Sequence, residues 1–322
     1  GSLKSKEKQR NIVSTGLFTH ESCYRHLTGP MSPESPERIT AIEERLVASG
    51  LEGAFKRTQT NRQARQEDLL RAHDQEYVDH VISLIPHTEG ELVHISEDTV
   101  VSEKSLEAAL ESAGCVLEAV DQVADGRLTN AFCCVRPPGH HAHHAKAEGF
   151  CIFNNVAIAA LYARDVLKLK RIAVLDIDAH HGDGTEDILG GETGIEFFSL
   201  FEKDIFPYPS EDTEHANVHK SVLKAGDRGE AACEIIRSDW EPKLREFSPE
   251  LIFISAGFDA HMSDTMSGLD FTDLDYAHIT RIIDDIARNV CDEKIVSVLE
   301  GGYEPRSLSR AVVAHIRTLA HL

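Results

Sequence analysis

No apolar run in this 322-residue sequence reaches the ~18 residues that a membrane span needs. Residues 1–11 are polar and bear lysines, with none of the apolar core of a secretory leader. Gly1-Ser2 reads as a cloning scar, and residues 1–14 read as a flexible tail. The seven cysteines include no CxxC pair, and Cys133 and Cys134 adjoin inside an apolar run. That excludes a spaced disulfide or zinc–thiolate framework. It points to reduced, buried thiols in a reducing compartment, the cytoplasm or, in a eukaryote, the nucleus. Positive charge is scarce, with 33 Lys and Arg against 54 Asp and Glu. A net charge of −21 lacks the basic footprint of direct nucleic-acid binding. It complements a cationic substrate, although an acidic surface also serves solubility alone. With no linker, internal repeat or low-complexity tract, residues 15–322 are expected to form one large α/β domain rather than two.

What the sequence does hold is a series of short apolar runs, at 131–135, 171–177, 195–200, 251–255 and 294–299. Each is β-branched or aromatic and is followed by Gly, Pro or charge. Near-continuous apolarity predicts parallel strands covered on both faces. Between them, Leu106, Ala109, Leu110, Ala113, Val116, Leu117, Val120 and Val123 keep helical 3–4 spacing, and Gly126 closes the run. Further helices are predicted over 156–169, with Asn154 or Asn155 as cap, and over 231–247, 274–290 and 307–319. Alternation of the two predicts an α/β fold with a central, mostly parallel sheet flanked by helices. In such folds ligands bind outside the carboxyl ends of the strands. Segments 136–150 and 201–225 are too long for plain connectors and are expected to be functional.

The run at 174–184 (VLDIDAHHGDG) turns abruptly from apolar to polar. Asp178 and His180 are two apart, so on an extended strand end they point to the same side, an oxygen and a nitrogen ligand together. The other predicted strand ends are as polar. They bring Arg136 to His141, Ser199-Leu200, Ser255 to His261, and Glu300 to Tyr303 to one edge of the sheet. A lone Asp after a strand is usually a helix cap, but five coincident polar ends are not explained that way. Asp178, His180 and Asp259 suit a mononuclear Zn²⁺ or Fe²⁺ site that leaves room for water and a carbonyl. Such a site hydrolyses a carbonyl compound when a base and an oxyanion donor are present. The tandem His140-His141 fits the base, with Asp176 and Asp183 as the carboxylates that orient imidazoles. Tyr303 fits a phenol donating to the oxyanion, and Gly301-Gly302 allow the backbone to bring it close.

These residues resemble the zinc-dependent histone deacetylase family, in its class II and bacterial deacetylase-like branch. The resemblance is carried by 136–142 (RPPGHHA), 149–157 (GFCIFNNVA), 176–184 (DIDAHHGDG), 255–261 (SAGFDAH) and 300–303 (EGGY). Residues 33–38 (PESPER) also resemble a family motif, with Ser32 where His is usual. The resemblance implies a single-domain arginase/deacetylase-like fold that removes an acyl group from an amine. It implies one Zn²⁺ per chain on Asp178, His180 and Asp259. It makes His141 the general base and acid, oriented by Asp183, and His140 its electrostatic partner, held by Asp176. Tyr303 polarises the carbonyl. Gly149, Phe150 and Phe206 belong to the walls around the acyl-lysine methylenes, Asp98 grips the substrate backbone at the rim, and Met266 is an apolar rim residue. A structural K⁺ is implied at Asp176, Asp178, His180, Ser199 and Leu200.

Three features depart from that pattern. Residues 206–210 (FPYPS) replace the usual aromatic-Pro-Gly-Thr-Gly, His143 and His144 read as exposed loop polarity, and Glu304 has no role. The substrate is expected to be an acyl-lysine protein or peptide, or alternatively an acetylated polyamine, with no nucleic acid and no membrane involved. The oligomeric state is open, a homo-oligomer being one option. An arginase-type binuclear centre needs a carboxylate two residues after Asp259, where His261 stands. A non-catalytic acyl-lysine reader would not need the complete set with Tyr303.

Overall fold

The computed structural model describes residues 12–322, so Gly1-Ser2 and most of the expected tail lie outside the described residues. In chain order the elements are β1 (Thr15–Thr19), α1 (Glu37–Ala48), β2 (Lys56–Gln59), α2 (Gln66–Ala72), α3 (Gln75–Leu84), β3 (Val93–Ser96), β4 (Thr99–Val101), α4 (Ser105–Ala124) and β5 (Asn130–Cys133). There follow α5 (Asn155–Asp165), β6 (Ile172–Asp176), α6 (Asp183–Leu189), β7 (Ile195–Glu202), β8 (Val218–Leu223), α7 (Gly229–Ile235), α8 (Glu241–Phe247), β9 (Leu251–Ala256), α9 (Asp273–Cys291), β10 (Ile295–Leu299) and α10 (Pro305–Leu319). A π turn over Ile236–Trp240 joins α7 to α8.

Eight strands form one sheet in the order β2-β1-β5-β10-β9-β6-β7-β8, every pairing parallel. Alternate residues of a strand face opposite sides, and the core divides accordingly. Leu175, Ile252 and Ile254 join Tyr276, Ile283, Val312 and Ile316 from α9 and α10 on one face. Val174, Leu251 and Phe253 join Val116, Val120, Val156 and Ala160 from α4 and α5 on the other. Both faces are therefore dry, which is why the central strands read as unbroken apolar runs.

The differences from expectation have local causes. β1 to β4 and β8 were not expected. β2 (KRTQ) and β8 (VHKSVL) are the outer strands and carry polar side chains, so they lack the apolar signal of the centre. β7 runs on to Glu202 and β8 starts at Val218, so the expected long connector 201–225 shortens to 203–217. α5 stops at Asp165 rather than 169, because the chain turns through Lys168 at φ 62° while Leu167 and Leu169 still pack on the core. Segment 136–150 holds no regular element, as expected.

Candidate active site

The carboxyl ends of β5, β6, β9 and β10 converge. β6 ends at Asp176, and the chain continues through Asp178 and His180; β9 delivers Asp259 three residues past its end. All three side chains are buried, and His180 Nδ1 stands 2.8 Å from Asp259 Oδ2 and 3.3 Å from Asp178 Oδ1. His180 Nε2 lies 3.0 Å from the Met266 carbonyl, to which it can only donate. Burial lowers the His180 pKa, but the Asp259 and Asp178 charges outweigh it and raise the pKa well above the usual value. Once a cation takes the place of the proton, this bond leaves the Nδ1 lone pair facing the two carboxylates. Burial and the Asp178 charge push Asp259 up to about 7. Three converging lone-pair donors, shielded from water, are a set that a divalent cation satisfies, and their types suit zinc.

The loop after β5 brings the tandem histidines beside this cluster. His140 Nδ1 is 2.7 Å from Asp176 Oδ2, and His141 Nδ1 is 2.8 Å from Asp183 Oδ1. His141 Nε2 has no hydrogen-bond partner among the described residues. Burial and the His140 charge push His141 down to about 4, against the pull of Asp183. Burial acts the same way on His140, but Asp176, Asp178 and Glu300 outweigh it and raise that pKa well above the usual value. One imidazole is thus set up to accept a proton and its neighbour to carry positive charge. The expectation of exposed polarity at His143 is overturned. Its Nε2 sits 3.1 Å from Asp183 Oδ2 and 3.3 Å from Glu148 Oε1, so Asp183 is shared between two rings. His144 is half exposed and bonds Asp187. His181 is fully occupied, by Ser199 Oγ and Glu186 Oε1, both at 2.7 Å.

Tyr303 reaches the site from β10 through Gly301 and Gly302. A Cβ on Gly301 would come within 2.5 Å of Asp259 Oδ2, and Gly302 holds φ 119°. The Tyr303 phenol has its pKa raised well above 10 by burial and by the Asp259 and Asp178 charges. It therefore keeps its proton to donate. Four residues to which sequence reasoning gave no role, Glu300, Arg38, Glu34 and Asp264, hold this segment. Glu300 accepts from the Gly139 and His140 amides at 3.0 and 3.1 Å and from Ser255 Oγ at 2.8 Å, tying β10, β5 and β9 together. Arg38 donates to the Gly302 and Glu300 carbonyls at 2.6 and 2.7 Å, and Glu34 Oε2 binds both Arg38 and Arg136. Asp264 accepts from the Tyr303 and Met266 amides at 2.7 and 2.8 Å. The 33–38 motif was the available signal for Glu34 and Arg38; Asp264 had none. Glu304 caps α10, accepting from the Arg306 and Ser307 amides.

The expected rim residues surround this centre. Phe150 packs on Tyr303 at 5.6 Å between ring centroids, and Phe206 on His141 at 5.1 Å. Asp98, in the β3–β4 turn, accepts from the Gly149 amide at 2.9 Å through Oδ1, while its Oδ2 has no partner among the described residues. The Met266 side chain is exposed, and its carbonyl holds His180. For the expected K⁺ set, Asp176 lies opposite Ser199 in the β6–β7 register, with Leu200 following.

Residues 32–319 match the profile described as histone deacetylase domain. The chain belongs to the histone deacetylase family. Amide hydrolysis of the deacetylase type and zinc dependence are the general properties of that family. The chain is 32% identical to type-2 histone deacetylase 2 of Dictyostelium discoideum, over 96% of this chain and 21% of that protein. It is 33% identical to the polyamine deacetylase HDAC10 of Homo sapiens, over 89% of this chain and 44% of that protein. It therefore spans less than half the length of either relative. Among solved structures, the HDA15 HD domain superposes with a TM-score of 0.87 at 29% identity, covering 96% of this chain and 90% of that one. Fold and family thus agree with the sequence resemblance.

Proposed function

We propose that residues 15–322 form a zinc-dependent catalytic domain that hydrolyses the acetyl amide of a lysine side chain in a protein or peptide. The observation that carries this reading is the placement of a carboxylate-oriented imidazole, His141, and a protonated phenol, Tyr303, around the Asp178–His180–Asp259 donors. One zinc per chain, held by those donors, would acidify water toward a pKa of ~7 and polarise the amide carbonyl. His141, oriented by Asp183, accepts the proton of the attacking water and returns it to the leaving amine. Tyr303 donates to the carbonyl oxygen as it gains negative charge, an interaction of the kind worth ~2.7–4 kcal/mol. His140, held by Asp176, adds positive charge to the same region. Phe150 and Phe206 flank the methylenes and exclude water, Met266 contributes an apolar rim, and the free Oδ2 of Asp98 accepts from the substrate backbone. Asp176, Asp178, His180, Ser199 and Leu200 hold a K⁺ behind the site.

An acetylated polyamine is the second reading, favoured by the net charge of −21 and by the similarity to a polyamine deacetylase. Seven free, buried cysteines support a reducing compartment such as the cytoplasm. No helix among the described residues is long and apolar enough to cross a membrane. The test is a turnover panel of acetyl-lysine peptides and acetylpolyamines, with and without a chelator. Chelator-sensitive cleavage of the peptides is expected. Faster cleavage of the polyamines would favour the second reading, and no cleavage of either by zinc-loaded protein would reject both.

A further inference from the structure

Three groups of His, Asp and Glu among the described residues converge closely enough to hold a metal ion. Asp178, His180 and Asp259 form one. His143, Glu148 and Asp183 form another, within the histidine network already described. The third, Asp284, Glu293 and His321, lies at the opposite end of the sheet. Glu293 precedes β10, whereas Glu300 and Tyr303 follow it, which separates the two regions by about 20 Å of extended chain.

Asp284 projects from α9 into this third cluster and is 3% exposed; Glu293 is also buried. His321 Nε2 stands 2.8 Å from Asp284 Oδ2 and 3.1 Å from Glu293 Oε1. Arg288, on the exposed side, donates to Glu293 Oε1 at 3.0 Å and to Asp284 Oδ2 at 3.4 Å. The other carboxylate oxygen, Asp284 Oδ1, is buried and has no hydrogen-bond partner among the described residues. An orphaned buried acceptor costs about 1–3 kcal/mol, and in a native fold it marks the place of a water or an ion. A cavity of about 840 Å³, lined by Arg288, Glu293, Lys294 and His321, gives solvent access.

We propose that Asp284, Glu293 and His321 bind a second divalent cation of the zinc type, remote from the catalytic centre. Two carboxylates and an imidazole are a zinc donor set. His321 Nε2 stands 2.8 Å from Asp284 Oδ2 and 3.1 Å from Glu293 Oε1, close to the edge of about 3.3 Å between ligands of a tetrahedral zinc ion. Asp284 would bind the ion through both oxygens, which gives the orphaned Oδ1 its partner. The ion would fasten the segment after α10 to α9 and to the approach of β10, a structural role.

Titrating Zn²⁺ alone into the zinc-loaded holoenzyme by calorimetry, with metal content read by mass spectrometry, tests the site. Wild type should take up one equivalent beyond the catalytic ion. His321→Ala and Asp284→Asn should bind that equivalent at least tenfold more weakly, with acetyl-lysine turnover unchanged. His321→Ala trims a partly exposed ring and Asp284→Asn preserves side-chain volume, and circular dichroism checks that both fold. No further equivalent in wild type, or uptake at wild-type affinity in His321→Ala, would overturn the proposal.

Discussion

Single side chains in the centre are assigned by what each nitrogen or oxygen has left to offer. Asp264 holds the Tyr303 amide and Arg38 the preceding Gly302 carbonyl, so removing the Tyr303 hydroxyl should leave the donor cluster intact. Tyr303→Phe is expected to retain zinc and lose acetyl-lysine turnover by roughly a hundredfold or more, the usual effect of one oxyanion donor. Wild-type turnover in that variant would remove Tyr303 from the reaction. His141 has a free Nε2 and a carboxylate on Nδ1, whereas His140 Nε2 faces Asp178 at 3.6 Å. His141→Ala should therefore be the more damaging of the two alanine substitutions in kcat. The reverse order would exchange their roles. Asp178 and His180 were legible as polar residues closing an apolar run, although both lie past the end of β6 rather than on an extended strand. Glu34 and Arg38 were legible only as a motif, because their partners Arg136, Glu300 and Gly302 stand about a hundred or more positions away.

Among the elements, α10 shows how a residue with no evident job acquires one. Glu304 follows Tyr303 but serves the helix, accepting from two first-turn amides that have no intrahelical partner. Glu304→Ala should cost about 1 kcal/mol, the usual loss of a cap, read as a lower urea midpoint at unchanged slope. An unchanged midpoint would mean that water replaces the cap without loss. The central strands and α4, α9 and α10 were legible because burial on one or two faces writes a period into the sequence. β2 and β8 were not, since an outer strand can be polar and still pair.

Across the whole molecule, burial of neutral histidines sets an acid limit. His315 lies between the Thr280 and Ser297 hydroxyls, both at 2.7 Å, and burial pushes it down to about 3. Burial likewise takes His20 down to about 3, helped by the Arg136 and Arg25 charges, and His73 down to about 4. Below the ordinary value of about 6.5, the unfolded chain binds protons that the native state refuses. The stability these groups confer is therefore present above pH ~6.5 and is lost as the pH falls toward 4 and 3. Each contributes a slope of up to about 1.4 kcal/mol per pH unit. Removing one such ring, as in His315→Gln, should flatten the dependence of urea-measured stability on pH between pH 7 and pH 5 by up to about 1.4 kcal/mol per pH unit. An unchanged slope would show that His315 protonates in place.

The sequence by itself determined the α/β class, the central strands and the chemistry of their ends. Apolar runs, period-two spacing and the types of donor are local properties, present before the chain folds. That Asp183 is shared between His141 and His143, and that the Met266 carbonyl accepts from His180 Nε2, were decided only in three dimensions. The same holds for Glu300, whose carboxylate ties three strand ends together. Hydrogen bonds between groups far apart in the chain follow from strand order in the sheet, and no local pattern encodes that order.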